Sequence, residues 1–380
     1  MAVSMPSFTD LVLSQWRDPS LPTKATLAVD GRSLTIAAVV EVSRQLKHVE
    51  LTSESINAIE VCSKIIPEKV AKGHVIYGVN TGFGGSADTG SNDVERVQQS
   101  LISHLTCGIA ADGKQQAVLK SDGHLYQNNG DLKERRQRTL IKSSLPLNDT
   151  CTPESWARAS IIIRLNTLSS GASGIRVDIV QSLLNHLNKD VVPQIPVRGS
   201  ISASGDLSAL AWIGAVMEGK SSATASAGPR DVDGARRVKR ADIALDEAGI
   251  APISLHPKKA SPSSTARPAV AGADGDERGV ALRGSDESFE PFIAQVRPRP
   301  GQVDSARNIK AFLDGTAIRY AQPASQWIGP VLEDFCLAHD QLTIELNSVT
   351  DNPLIETATG RVFHGGNFQA RAVTGREMGI

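Results

Sequence analysis

Ala203-Ser204-Gly205 can react with itself. The Gly205 amide, with no Cβ in the way, can attack the Ala203 carbonyl, and the Ser204 hydroxyl can leave. Two dehydrations then give a 4-methylidene-imidazol-5-one ring. The tripeptide lies in Arg198-Gly199-Ser200-Ile201-Ser202-Ala203-Ser204-Gly205-Asp206-Leu207-Ser208, whose small residues let the backbone bend sharply. A phosphate-binding loop would need a lysine directly after the last glycine, and none follows Gly205. Two further groups have chemical potential: the Tyr77 phenol ahead of a run of glycines, and His104 on a helix-like segment. By residue type alone, Tyr77 is a packed tyrosine and His104 a hydrogen-bonded one.

The elements that must place these residues read mainly as helices. Residues 207–217 place Leu207, Leu210, Ala211, Gly214 and Met217 at three- and four-residue steps, with Asp206 or Ser208 able to cap the helix start. A helix N-terminus offers free N–H groups and a partial positive charge to whatever precedes it. Helical patterns also cover 8–17, 36–47, 53–70, 94–110, 157–168, 175–187 and 331–346, the last with Val331, Phe335, Leu342 and Leu346 on one face. Residues 27–35 read as a strand with a turn at Asp30-Gly31, and residues 75–85 as a mobile or tightly looped segment.

Composition narrows the function classes. The 380 residues are 40% hydrophobic, with a net charge of −1 and scattered lysines and arginines, so neither nucleic acid nor a membrane surface is expected as a partner. No apolar run approaches the roughly 20 residues that span a bilayer. The first residues lack the pattern of a signal peptide, which predicts a cytoplasmic location. Cys62, Cys107, Cys151 and Cys336 have no metal-ligand spacing, so no metal is expected.

Gly199-Ser200-Ile201-Ser202-Ala203-Ser204-Gly205-Asp206-Leu207 resembles the signature of the aromatic amino acid and histidine ammonia-lyases, and is most like that of fungal phenylalanine ammonia-lyases. Three further stretches resemble the family in the same order: Tyr77-Gly78-Val79-Asn80-Thr81-Gly82-Phe83-Gly84, Asn347-Ser348-Val349-Thr350-Asp351-Asn352-Pro353, and His364-Gly365-Gly366-Asn367-Phe368-Gln369. The resemblance implies an aspartase-like bundle of long helices behind a smaller mixed N-terminal region. It implies a prosthetic ring formed autocatalytically from Ala203, Ser204 and Gly205 with no external cofactor, and Tyr77 as catalytic base. It also implies substrate contacts from His104, Leu105, Tyr320, Asn352 and Phe368, with His104 able to reach a para-hydroxyl. The implied reaction is non-oxidative deamination of L-phenylalanine, with L-tyrosine as a second substrate, to trans-cinnamate and ammonia. That belongs to L-phenylalanine catabolism and phenylpropanoid metabolism, carried out by a homotetramer with sites shared between subunits.

The sequence also departs from the family. Residues 258–284 are rich in Ala, Ser, Pro, Gly and charge and read as a linker where the family has a substrate-binding asparagine and a core helix. Ala317-Ile318-Arg319-Tyr320 keeps the tyrosine of a Gln-Asp-Arg-Tyr motif but not its glutamine, and the arginine that grips the substrate carboxylate is not recognisable. The chain stops at Ile380, short of the family's usual length, so further core helices and an acidic site residue are expected to be absent. The expected organisation is an N-terminal region with the tyrosine loop (1–110), a polar loop (111–152), a helical core with the ring-forming loop (153–257), the linker (258–284) and a partial helical core (285–380). Poor catalysis is therefore expected. Two alternatives stay open: an aromatic aminomutase using the same ring and base, and a catalytically silent remnant of a lyase.

Overall fold

The computed structural model describes residues 7–15, 26–82, 90–91, 93–106, 108, 150–198, 207–230, 236–253, 289, 291, 295, 299–313 and 324–364. Two compact units divide the chain: Met1–Lys24 with Ala269–Ile344 and Gly379–Ile380, and Ala25–Pro268 with Glu345–Met378. Helices dominate both, as expected.

The larger unit is built around α6 (Glu154–Ser169), in which Ala157, Ile161, Ile162, Leu165 and Leu168 are almost fully enclosed. The buried residues of α6, polar ones included, run round most of the helix, which places it inside the core. Against it pack α2 (Ile36–Arg44), α3 (Ser53–Ser63) and α7 (Val177–Asn188). The hydroxyls of Thr35 and Thr52 accept from the Ala38 and Ser55 amides and so cap α2 and α3. The expected single helix over 53–70 is broken at Lys64, and α4 (Ile65–Ala71) follows. Pro67 is the cause, because it donates no amide hydrogen and its ring crowds the Ser63 carbonyl four residues back.

The strands are short. β1 (Leu27–Val29) lies parallel to β2 (Val49–Leu51), while β3 (Val192–Pro193), β4 (Thr224–Ser226) and β5 (Val238–Arg240) form an antiparallel sheet beside α9 (Ala241–Glu247). β6 (Leu354–Glu356) and β7 (Arg361–Phe363) make a hairpin. The Asn188 side chain bonds both backbone groups of Val49, accepting from its amide at 2.9 Å and donating to its carbonyl at 2.8 Å.

Charge is concentrated at the N-terminal end of α6. Buried Arg158 donates to the carbonyls of Val42 and Leu187 and to Asp190 at 2.9 Å. Arg230 and Arg236 each pair with both Glu154 and Asp190. Burial draws the Arg158 guanidinium down to about 10, with Asp190 acting in the opposite direction. Burial works to raise Glu154, but Arg236 and Arg230 hold its carboxyl below the ordinary value. On α7, His186 is fully buried, its Nδ1 lies 2.8 Å from the Ser182 carbonyl, and burial lowers its pKa to about 4.

The smaller unit contains α1 (Phe8–Gln15), α10 (Pro300–Leu313) and α11 (Ala324–Leu346), whose last two residues belong to the larger unit. Phe8 stacks tilted on Phe335 with centroids 5.4 Å apart, and Ser7 and Thr9 bond to Asp304. Of the expected apolar face of α11, Val331 is exposed, Phe335 and Leu342 are half-buried, and Leu346 is buried. Among the described residues no helix is long and apolar enough to cross a membrane. The expected linker 258–284 lies outside them.

Candidate active site

Tyr77 opens a tight turn, and the side chains around it explain why the backbone holds that shape. The Ile76 amide donates to the Asn80 side-chain oxygen at 2.7 Å, the Asn80 amide group donates to the His74 carbonyl at 3.0 Å, and the Gly78 amide donates to the Thr81 hydroxyl at 3.0 Å. The segment is thus tightly looped. Ile76 and Val79, on either side of Tyr77-Gly78, are buried with Cys62, Ile66, Val94 and Ile355, while Tyr77 itself is half-buried.

α5 (Val94–Leu105) extends from that cluster, capped by Asp93, whose carboxylate accepts from the Arg96 amide. At its far end His104 is exposed and Leu105 half-buried. Just beyond, Gly108 lies so close to the Arg198 carbonyl that a Cβ would stand 2.7 Å from the oxygen. The approach to the ring-forming loop is pinned from a second side. Thr152 donates its amide to the Ile195 carbonyl at 2.8 Å, and Val197 donates to the Thr150 carbonyl at 2.9 Å.

On the far side of the loop comes α8 (Ser208–Met217), which packs on α5. The expected apolar stripe is wider than one face: Leu210–Ile213 and Ala215–Met217 are all buried. Ser208 is the first helical residue, and the cap position is Leu207, whose side chain makes no capping bond; Asp206 lies outside the described residues. Ala203, Ser204, Gly205, Tyr320 and Phe368 also lie outside the described residues.

Asn352 is buried in a turn between Asp351 and Pro353. The Asp351 carboxylate is fully enclosed and pairs with Arg164 at 2.7 Å. Asn347, at the start of the same motif, bonds both backbone groups of Leu34 and lies beside Asn166, which accepts from the Gly31 amide and donates to the Leu346 carbonyl. After the turn, the Ile355 amide donates to Ala172 at 3.0 Å and the Thr357 hydroxyl to Gly171. Ile355 then enters the cluster beneath the Tyr77 turn. The close approach depends on Gly174, at φ +67°, where a Cβ would stand 2.5 Å from Ile355 Cδ1.

The structure thus joins two of the sequence-predicted residues, Tyr77 and Asn352, through one apolar cluster, and puts His104 and Leu105 at the other end of α5, near the flanks of the tripeptide. Sequence reasoning missed Asn80 and Thr81, although both stand inside the motif it singled out. Arg164 carried no local signal. Among the described residues no cluster of three His, Cys, Asp or Glu could hold a metal.

A mainly helical fold, the Ala203-Ser204-Gly205 tripeptide ahead of α8 and a locked tyrosine turn agree with a family match: the chain belongs to the aromatic amino acid lyases, whose family model fits residues 34–264 and 279–376. Members of this family are carbon–nitrogen lyases. The chain is 35% identical over 382 residues to a phenylalanine ammonia-lyase of Aspergillus hancockii, covering 92% of this chain and 51% of that protein. It is also 35% identical over 384 residues to an L-β-phenylalanine-forming phenylalanine aminomutase of Talaromyces islandicus, covering 91% and 50%. The crystal structure of phenylalanine ammonia-lyase from Rhodosporidium toruloides superposes with a TM-score of 0.71 at 25% identity, covering 98% of this chain and 53% of that one. The chain therefore spans about half the length of these relatives.

Proposed function

We propose that this chain carries out non-oxidative deamination of L-phenylalanine to trans-cinnamate and ammonia, with L-tyrosine as a second substrate read by His104. The observation that carries this reading is the tripeptide itself. Ala203-Ser204-Gly205 has the donor set of a methylidene-imidazolone, it follows a segment pinned at Ile195, Val197 and Arg198, and it precedes the start of α8. Formed there, the ring supplies an electrophile without an external cofactor.

The chain's own residues have separate tasks. Tyr77 takes the substrate's β-proton on its phenol oxygen, and the Asn80 and Thr81 bonds keep its turn from relaxing. The first amides of α8 favour negative charge at the loop. Leu105 packs on the aromatic ring, and Asn352 orients the substrate. The two ends of α5, ~18 Å apart for a helix of this length, carry the Tyr77 cluster and the ring-loop flank. That separation supports a homotetramer in which one copy's tyrosine serves another copy's ring. Without the carboxylate arginine the substrate is held less firmly, so turnover is slow, with KM raised and kcat lowered together.

Peptide mass tests the ring: the Ala203–Gly205 peptide should lack two waters, and Ser204→Ala should restore them. A soluble chain with the unmodified mass would sink the proposal. Cinnamate absorbance tests the reaction, and mixing Tyr77→Phe with Ser204→Ala chains tests the shared site, since hybrids should recover activity that neither parent has. An aminomutase reading is favoured by the similarity to the Talaromyces islandicus enzyme, and β-phenylalanine among the products would replace the lyase reading with it.

A further inference from the structure

We propose that Arg164 is a positioning residue of this site, acting through Asp351 to fix the Asn352 turn against the loop that carries Tyr77; the catalytic part of this claim rests on the lyase reading above. Asp351 is enclosed completely, and the Arg164 side chain is only 10% exposed, so their 2.7 Å contact is made with little water to screen it. The partner of this carboxylate comes from the middle of α6, 187 residues away in sequence. A second attachment follows four residues later, where Ile355 donates its amide to Ala172 in the loop after α6. The turn containing Asn352 is therefore tied at both ends to α6 and the loop that follows it. The same Ile355 packs with Ile76 and Val79, the residues that bracket Tyr77-Gly78. Displacing Asp351 would swing Asn352 and pull on the cluster beneath Tyr77, although Arg164 touches neither residue in any bond described above.

A lysine could keep the charge at position 164 but not the planar fork of donors, so partial rescue is expected. Arg164→Met should lower kcat by about 100-fold, the cost of a misplaced site rather than of lost binding, with a smaller change in KM, and Arg164→Lys should recover a large part of that loss. Amide hydrogen exchange provides an arm that needs no turnover. In Arg164→Met the amides of Ile355 and Gly78 should exchange about tenfold faster while those of α7 keep their protection. If the methionine variant fails to fold, Asp351→Asn, which keeps the shape of the side chain, takes its place in the same comparison. Unchanged exchange at Ile355 and Gly78 would overturn the proposal, as would loss of protection spread evenly through α6 and α7. A wild-type chain that makes no cinnamate would defeat the lyase reading and leave the exchange result to decide the positioning role.

Discussion

The two ends of α6 are fastened by opposite means. At the N-terminal end, Glu154 and Arg158 sit in a cluster of three arginines and two carboxylates, one positive charge in excess, completed by Asp190, Arg230 and Arg236. Toward the C-terminal end neutral contacts predominate around the single enclosed Arg164–Asp351 pair: Asn166 bridges Gly31, Leu346 and Asn347, and the loop through Gly171 and Gly174 receives β6 at backbone distance. Buried charges hold firmly only while every partner is present, and they answer to pH. Neutral amides and close-packed glycines are weaker singly but insensitive to protonation.

The largest test of this contrast is Arg158→Met, which leaves Asp190 short of a partner and should cost about 3–5 kcal/mol in urea unfolding. A loss below about 1 kcal/mol would mean that Arg230 and Arg236 suffice and that the charged end is redundant. Acid comes next. His186 is neutral when folded, with a pKa of about 4 against an ordinary 6.5, so its contribution is complete above 6.5 and is lost as pH falls toward 4, about 3 kcal/mol in total. Glu154, held below its ordinary 4.5, loses its contribution at lower pH still, so both act in the same direction. Denaturant melts across this range should show the slope, and His186→Gln should flatten its upper part.

At the neutral end, Gly174→Ala should cost about 2 kcal/mol, from the left-handed backbone and the crowding of Ile355 and Ile66, and this loss should not vary with pH. A pH-dependent loss would blur the distinction between the two ends. The smallest effect is expected at the exposed Arg240–Asp242 pair, where Arg240→Ala should change stability by less than about 0.5 kcal/mol. That variant measures what a charge contributes once it leaves the enclosed cluster.

The helices were legible because an apolar residue every third or fourth position is a local signal, and α2 and α7 need nothing else to declare themselves. Strands of two or three residues, such as β3, are too short to alternate, and their pairing depends on partners some thirty residues on. Pro67 is a legible stop inside the 53–70 stretch, although the apolar spacing continues through it. At the site, the motif residues Tyr77 and Asn352 could be named in advance, and the structure adds the cluster that links them. The Arg164–Asp351 pair and the Asn166–Asn347 contact join residues roughly 180 positions apart, for which no spacing rule exists.

Asn188 has a consequence beyond α7. β2 pairs on one side with β1, and a strand with one open side invites a stranger to add to it. Both outward hydrogen-bonding groups of Val49 are already taken by the Asn188 side-chain amide, which mimics the peptide unit of a neighbouring strand. This small sheet thus carries its own stopper, one residue long, against growing by addition of another chain.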